Sequence, residues 1–108
     1  MDNLLSVTFE AHNAERNHHR RYEVRLGRDL FGEWTVSLIY GRTGRGGQEV
    51  RYSSAEANCL RKVIRECLQR RLSAPGRIGC KYLMKEMSAA DGVDVGFWMP
   101  ADTLAALE

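Results

Sequence analysis

Two arginines within a glycine-rich stretch offer the clearest chemistry in this chain. Arg42 and Arg45 lie between Tyr40 and Gln48, together with four glycines. Glycine allows positive φ and a close approach of the backbone, and the planar guanidinium fork suits phosphate oxygens. No Gly-Lys-Ser/Thr sequence follows and no helical pattern begins there, which excludes a P-loop. The residues alone leave two interpretations open: an anion-binding loop, or a plain hairpin turn with two solvated arginines.

The distribution of charge along the chain favours a polyanionic partner. Residues 16–85 contain all 16 Lys and Arg but only six acids, whereas the formal net charge of the whole chain is only +2. The two ends contain eight acids and no Lys or Arg. A basic middle is the pattern expected of a protein that binds a polyanion. A solvated surface with an acidic tail is the alternative.

No group of residues resembles a catalytic, metal or cofactor site. The chain shows no paired nucleophile and base, and its three histidines lack a partner at metal-ligand spacing. An odd number of cysteines indicates buried, reduced thiols in a cytoplasmic protein; these are Cys59, Cys67 and Cys80. No apolar run approaches the roughly 18 residues of a membrane span. We therefore expect a cytoplasmic protein that is not an enzyme and uses no cofactor, metal ion or membrane.

Alternation of apolar and polar residues predicts four strands in the first half of the chain. Their apolar positions run through Leu5 to Phe9, Tyr22 to Leu26, Trp34 to Tyr40, and Val50 to Tyr52. The polar residues 12–20 predict a connection, and Gly27 to Gly32 a turn that carries Leu30 and Phe31. Because glycines separate the third and fourth strands, we expect a hairpin there.

The pattern then changes to helical spacing and predicts one long helix over residues 54–72. Ser53 and Glu56 fit a capping box at its start. Ile78 to Tyr82 alternates again and predicts a fifth strand, followed by a loop over 88–96. The sequence thus predicts an α+β fold in two layers, with an antiparallel sheet of about five strands and the helix on one face, in the order βββ-β-α-β. We expect one domain over residues 1–85 and an acidic extension, 86–108, that packs on or near it.

The stretch Tyr40-Gly41-Arg42-Thr43-Gly44-Arg45-Gly46-Gly47-Gln48 resembles the core motif of the WGR domain family. That motif reads Trp-Gly-Arg, a hydrophobic residue, Gly, two variable residues and Gly-Gln, so Tyr40 replaces the tryptophan. The resemblance extends over about residues 5–85, in the order that the family follows. It includes Asn17 with the basic residues before Tyr22, the turn Asp29 to Trp34, the helix start Ser53 to Ala57, and the pair Lys81-Tyr82.

The resemblance implies a non-catalytic nucleic-acid-binding module of the stand-alone bacterial type, related to the module with which poly(ADP-ribose) polymerases contact damaged DNA ends. By similarity, Tyr40 stacks on a terminal sugar and Arg42 contacts the backbone phosphate. The resemblance implies that the rest of the nucleic-acid site consists of Asn17, Arg20, Gly41, Arg45, Lys81 and Tyr82. Arg61, Lys62 and Arg65 of the helix would extend the positive surface. The partner is then DNA at ends or nicks; the alternative is a protein-interaction module whose basic surface docks an acidic protein.

Overall fold

Five antiparallel strands and one long helix form the described part of the chain. The computed structural model describes residues 2–15, 17–42, 47–73, 81–99, 103 and 105, with the backbone alone at 2, 3 and 18. The strands are β1 (Asp2–Asn13), β2 (His18–Arg28), β3 (Trp34–Arg42), β4 (Gln48–Ser54) and β5 (Leu83–Ala89). The helices are α1 (Ala57–Leu72) and the four-residue α2 (Val95–Trp98). The strand order is β4-β3-β2-β1-β5, which confirms the predicted α+β class.

The core lies between α1 and one face of the sheet. Leu60, Ile64 and Leu68 recur at four-residue intervals, so all three point to the same side of α1. They meet the alternate apolar residues of the three central strands; these are Leu5, Val7, Phe9, Ala11, Tyr22, Val24, Leu26, Val36 and Leu38. Burial of each such Leu, Ile or Val contributes about 1.5–3 kcal/mol. The alternation predicted for the strands is therefore confirmed as the core pattern.

The first hairpin is longer than the sequence indicated. His12 pairs with His19 and Asn13 with His18, so the connection comprises residues 14–17 and the prediction of a connection over 12–20 is wrong. The ladder persists through these polar residues because backbone hydrogen bonds, and not apolar side chains, join the strands. Asn17 N donates to Ala14 O at 3.2 Å and closes the turn. The longer hairpin places its turn beyond the buried core, next to the end of β3.

The start of α1 also differs from the prediction. Ser53 and Ser54 pair with Thr35 and Trp34 as the last residues of β4, so neither caps the helix and the predicted capping box is wrong. Ser54 Oγ instead accepts a hydrogen bond from Glu56 N at 3.1 Å. Glu56 is the N-cap residue; its side chain accepts from Cys59 Sγ at 3.7 Å but makes no capping hydrogen bond to a backbone N–H. The predicted end at residue 72 is confirmed.

The fifth strand lies further along the chain than the alternation indicated. Residues 78–80 fall outside the described residues, and Lys81 and Tyr82 precede β5. Ser88 and Ala89, expected in a loop, belong to β5 and pair with Ser6 and Leu5. Beyond it, Trp98 and Met99 are 4% and 0% exposed, so residues after 85 contribute to the core. The division of the chain at residue 85 stays a prediction.

The cysteines follow the predicted burial only in part. Cys67 is half-buried, but Cys59 is exposed because it precedes Leu60 on the solvent side of α1. Both are free thiols, and Cys80 lies outside the described residues. Within the described part of the chain, no helix combines the length and apolar character needed to cross a membrane.

Candidate nucleic-acid interface

Arg42, the last residue of β3, contacts the turn between β1 and β2. Its Nη1 donates to the backbone oxygen of Asn17 at 3.1 Å, and its Nη2 donates to Asn17 Oδ1 at 3.0 Å. Both acceptors are neutral, and among the described residues no carboxylate forms an ion pair with Arg42. Described residues engage two of the five guanidinium N–H groups of this exposed side chain. The contact orients the guanidinium, and no described carboxylate compensates its charge.

A row of aromatic rings lies on the same face of the sheet. Tyr40 stacks on Tyr22, with ring centroids 6.3 Å apart and planes inclined by 26°. The guanidinium of Arg71 lies over the Tyr22 ring, 3.7 Å from its centroid. It also lies 5.6 Å from the centroid of the Tyr82 ring. Burial raises the pKa of the Tyr22 hydroxyl, with a further contribution from Cys67, so Tyr22 stays neutral. The buried Tyr22 ring therefore supports one side of the Tyr40 ring.

Gly47 permits the approach of β4 to β3 after the glycine-rich loop. A Cβ at Gly47 would lie 2.4 Å from the backbone oxygen of Tyr40 and 2.9 Å from its carbonyl carbon. The next residue, Gln48, pairs with Tyr40 across the two strands. The Gly-Gln sequence therefore has a steric basis: only glycine fits at position 47 without a shift of backbone.

The structure brings several of the predicted site residues together. Arg20 pairs with Arg42 across β2 and β3, and the two arginines line one shallow pocket of about 220 Å³ with Gly41 and His19. Tyr40, two residues before Arg42, lies on the same face of β3 by strand alternation. Asn17 completes this group through its hydrogen bonds to Arg42.

The remaining predicted residues are less closely associated with that group. Tyr82 is 6% exposed and contacts Arg71, so its ring acts mainly as a support. Lys81 is exposed and precedes β5. Arg45 lies outside the described residues. The helical Arg61 donates from Nε to Phe97 O at 2.6 Å and covers the Phe97 ring, which engages it in packing, whereas Lys62 and Arg65 are exposed.

The sequence model of the WGR domain matches residues 5–70, more than half of the chain. The chain belongs to the WGR domain family. WGR domains are non-catalytic nucleic-acid-binding modules. The matched region contains β1 from Leu5 onward, β2 to β4, nearly all of α1 and the glycine-rich motif. No curated protein matches the chain.

Arg71 is the residue of this WGR domain that sequence reasoning missed. No motif in the sequence singles it out. However, residue 71 follows Leu60, Ile64 and Leu68 at the next core-facing position of the helix, a spacing at which a basic residue is unusual. Its Nε is buried and has no hydrogen-bond partner among the residues that the structure describes. The stacking on Tyr22 compensates part of that desolvation.

The opposite face of the sheet carries basic residues that are already paired. Glu23 accepts from Arg25 Nε at 2.8 Å and from Arg21 Nη2 at 3.4 Å, and Arg51 lies 3.5 Å from Glu49. Glutamates on that face therefore form ion pairs with these arginines, whereas no described carboxylate pairs with Arg42. Among the described residues, no cluster of three or more His, Cys, Asp or Glu has the arrangement of a metal site.

Proposed function

We propose that this WGR domain binds DNA at ends or nicks, with Arg42 as its phosphate contact and Tyr40 as its sugar contact. The observation that carries the proposal is the double hydrogen bond from Arg42 to the neutral acceptors of Asn17. It holds the guanidinium in one orientation before the ligand arrives and preserves its charge. Preorganisation of this kind reduces the entropy lost on binding.

Arg20 adds a second positive charge beside Arg42. The two side chains occupy directly opposite positions of β2 and β3, where like charges are mutually unfavourable. A phosphate between them would relieve this repulsion and accept charge-assisted hydrogen bonds, which are stronger than neutral ones. The free protein thus carries an electrostatic cost that an anionic ligand removes.

Tyr40 supports the preference for ends and nicks. Its ring is only partly buried and rests on Tyr22, so it offers a firm surface for stacking. In a continuous duplex the next nucleotide covers the terminal sugar face, whereas a break exposes it. An aromatic contact beside a phosphate contact therefore favours a break over intact DNA, without dependence on base sequence.

A direct test compares Arg42→Ala with Arg51→Ala. Both substitutions remove one exposed arginine from a strand end or edge, but Arg51 faces the opposite side of the sheet and pairs with Glu49. Fluorescence anisotropy should be measured with blunt, nicked and closed circular duplexes at several salt concentrations. Arg42→Ala should weaken binding to broken DNA about 5- to 150-fold, the value of a charged contact of about 1–3 kcal/mol. For this variant, the slope of log K against the logarithm of the salt concentration should be smaller in magnitude by about one.

Three outcomes would contradict the proposal. Equal affinity of the parent and Arg42→Ala would exclude this arginine as the contact, and equal affinity for closed circles would exclude the preference for breaks. If an acidic polypeptide such as polyglutamate binds as tightly as DNA and loses equal affinity on Arg42→Ala, the surface docks an acidic protein instead.

A further inference from the structure

Arg71 of α1 occupies a position that the packing of the helix does not explain. It lies on the side of α1 that faces the sheet, where Leu60, Ile64 and Leu68 are buried. Its Nε is buried without a hydrogen-bond partner among the described residues, and no described carboxylate pairs with its guanidinium. A buried, unpaired donor on a charged group costs stability. Residues that break a packing rule at such a cost are typical of functional sites.

The guanidinium of Arg71 lies close to the aromatic residue of the proposed DNA contact. Its Cζ is 3.7 Å from the centroid of Tyr22, and the Tyr22 centroid is 6.3 Å from that of Tyr40. Since these two distances add up to 10.0 Å, Arg71 Cζ lies no further than that from the Tyr40 centroid. Arg42 follows Tyr40 by two residues on the same face of β3, at a backbone distance of about 7 Å. Arg71 and Arg42 therefore approach Tyr40 from the helix and from the strand, respectively.

We propose that Arg71 is a second phosphate-binding residue of this WGR domain, an inference that rests on the proposed function. Successive phosphates of one DNA strand are spaced by about 3.4 Å along the helix axis. More than one phosphate therefore lies within reach of a nucleotide seated on Tyr40. Arg42 holds one of them and Arg71 another, while Arg20, which is paired with Arg42 across β2 and β3, adds a third positive charge.

The aromatic neighbours of Arg71 orient its guanidinium for such a contact. The Tyr22 ring covers the flat face of the guanidinium, which makes no hydrogen bonds, so the in-plane N–H groups keep their capacity for phosphate oxygens. Tyr82, with its centroid 5.6 Å from Cζ, adds a second aromatic contact. Nε is enclosed but the side chain as a whole is only half-buried, so the contact falls to Nη1 and Nη2.

The charges on this face of the sheet favour an anionic ligand. Arg20, Arg42 and Arg71 have no ion-pair partner among the described residues, whereas Arg25 and Arg51 on the opposite face pair with glutamates. Uncompensated positive charge on one face attracts a polyanion. If each of the three arginines neutralises one phosphate, the slope of log K against the logarithm of the salt concentration should be about −2.7 or steeper.

The test compares Arg71→Met with the matched control Arg28→Met. Arg28 also lies over an aromatic ring, with its Cζ 4.1 Å from the Trp34 centroid. However, Trp34 and Arg42 are the two ends of β3, about 27 Å apart. In anisotropy measurements with nicked duplex, Arg71→Met should lose affinity roughly tenfold, and its salt slope should be smaller in magnitude by about one. Arg28→Met should match the parent in both.

Urea denaturation of the same variants separates a phosphate contact from a structural role. Methionine at position 71 removes the unpaired donor and packs its thioether against Tyr22 and Tyr82. The urea midpoint of Arg71→Met should therefore equal or exceed that of the parent while DNA affinity falls. An arginine with a structural role alone would lower the midpoint when substituted and leave the salt slope unchanged. Arg71→Lys keeps the charge and should keep the slope of the parent.

An unchanged salt slope for folded Arg71→Met would overturn the proposal, and so would an equal reduction of the slope by Arg28→Met. If Arg71→Met fails to fold, as judged by circular dichroism, Arg71→Gln replaces it, because a planar amide stacks on Tyr22 without charge; its slope must then be smaller by about one. A parent that binds DNA and weakens on Arg42→Ala but not on Arg71→Met excludes the role of Arg71 alone. A parent that does not bind DNA contradicts the proposed function, and this inference with it.

Discussion

Arg42 and Asn17 lie 25 residues apart in the chain and are joined by two hydrogen bonds, one to a backbone oxygen and one to a side-chain oxygen. Asn17 has a φ of 54°, in the left-handed region that asparagine tolerates better than most residues. The turn between β1 and β2 thus holds the end of β3 through one arginine. Asn17 therefore orients the Arg42 guanidinium, in addition to any contact that Asn17 itself makes with a ligand.

Asn17→Gly should separate these two roles of Asn17. Glycine keeps the left-handed backbone and its oxygen but removes Oδ1, so the guanidinium loses one of its two acceptors. We expect DNA affinity to fall about two- to fivefold, the value of one hydrogen bond, with little change in stability. Asn17→Ala should lose about 1 kcal/mol of stability as well, because alanine is strained at this φ. Urea denaturation and anisotropy measure the two effects; unchanged affinity of Asn17→Gly would show that Arg42 needs no orienting partner.

Gly47→Ala should destabilise the β3–β4 pair. The added Cβ would meet backbone atoms of Tyr40 at 2.4 and 2.9 Å, and backbone cannot rotate away as a side chain does. A loss of about 1–3 kcal/mol in the free energy of unfolding is expected. Gly96→Ala is the matched control, because its nearest neighbour is the Asp94 side chain at 3.4 Å. Equal urea midpoints for the two variants would contradict the steric role of Gly47.

Much of this fold follows from periodicity in the sequence. Trp34 to Tyr40 alternates because one face of β3 meets the core, and Leu60, Ile64 and Leu68 repeat because one side of α1 does. β5 gave no comparable pattern, since most of its side chains are exposed on an edge strand. The helix start was misplaced because Ser53 and Ser54 suit a cap equally well, and only pairing with β3 decides their place.

The candidate site was predictable to a smaller extent. Tyr40 and Arg42 were identified from neighbouring positions in the motif, and Asn17 only from the family resemblance. The contact between Asn17 and Arg42 depends on a hairpin register that extends through polar residues, where side-chain pattern carries no signal. Arg71 was missed because its stacking on Tyr22 is a tertiary contact between helix and sheet.

Glu10→Gln should remove a pH-dependent part of the stability. Glu10 Oε1 lies 2.8 Å from His12 Nε2 and 4.0 Å from Lys85 Nζ, and the hydrogen bond from His12 lowers the pKa of the Glu10 carboxyl below its usual 4.5. A carboxyl with a lowered folded-state pKa stabilises the protein fully above pH 4.5 and loses this effect as the pH falls through the folded value. The parent should therefore exceed Glu10→Gln in stability at pH 7, and the difference should vanish in acid.

Urea denaturation between pH 7 and pH 3 measures this difference. Since the Glu10–His12 pair is near the surface, we expect it to stabilise the folded protein by less than about 1 kcal/mol. Glu49→Gln, at an exposed carboxylate 3.5 Å from Arg51, is the control for general charge effects. A difference between the parent and Glu10→Gln that stays constant over the pH range would exclude the contribution from ionisation.

Substitutions of Tyr40 test the sugar contact most directly. Tyr40→Ala removes the ring that stacks on Tyr22 at 6.3 Å, so it should weaken binding but also destabilise the domain by about 1–3 kcal/mol. Tyr40→Phe keeps the ring and should bind like the parent. Tyr40→Trp offers a larger stacking surface on the same support and should bind nicked and blunt DNA at least as tightly as the parent.

The comparison between DNA forms decides whether Tyr40 recognises breaks. A ring that stacks on a terminal sugar has no such surface in a closed circle, so Tyr40→Trp should leave affinity for closed circular DNA unchanged. Its ratio of affinities for nicked and closed DNA should then equal or exceed that of the parent. If Tyr40→Trp strengthens binding equally to both forms, the ring contacts the duplex without reading a break. If Tyr40→Phe loses affinity while it stays folded, the hydroxyl and not the ring makes the contact.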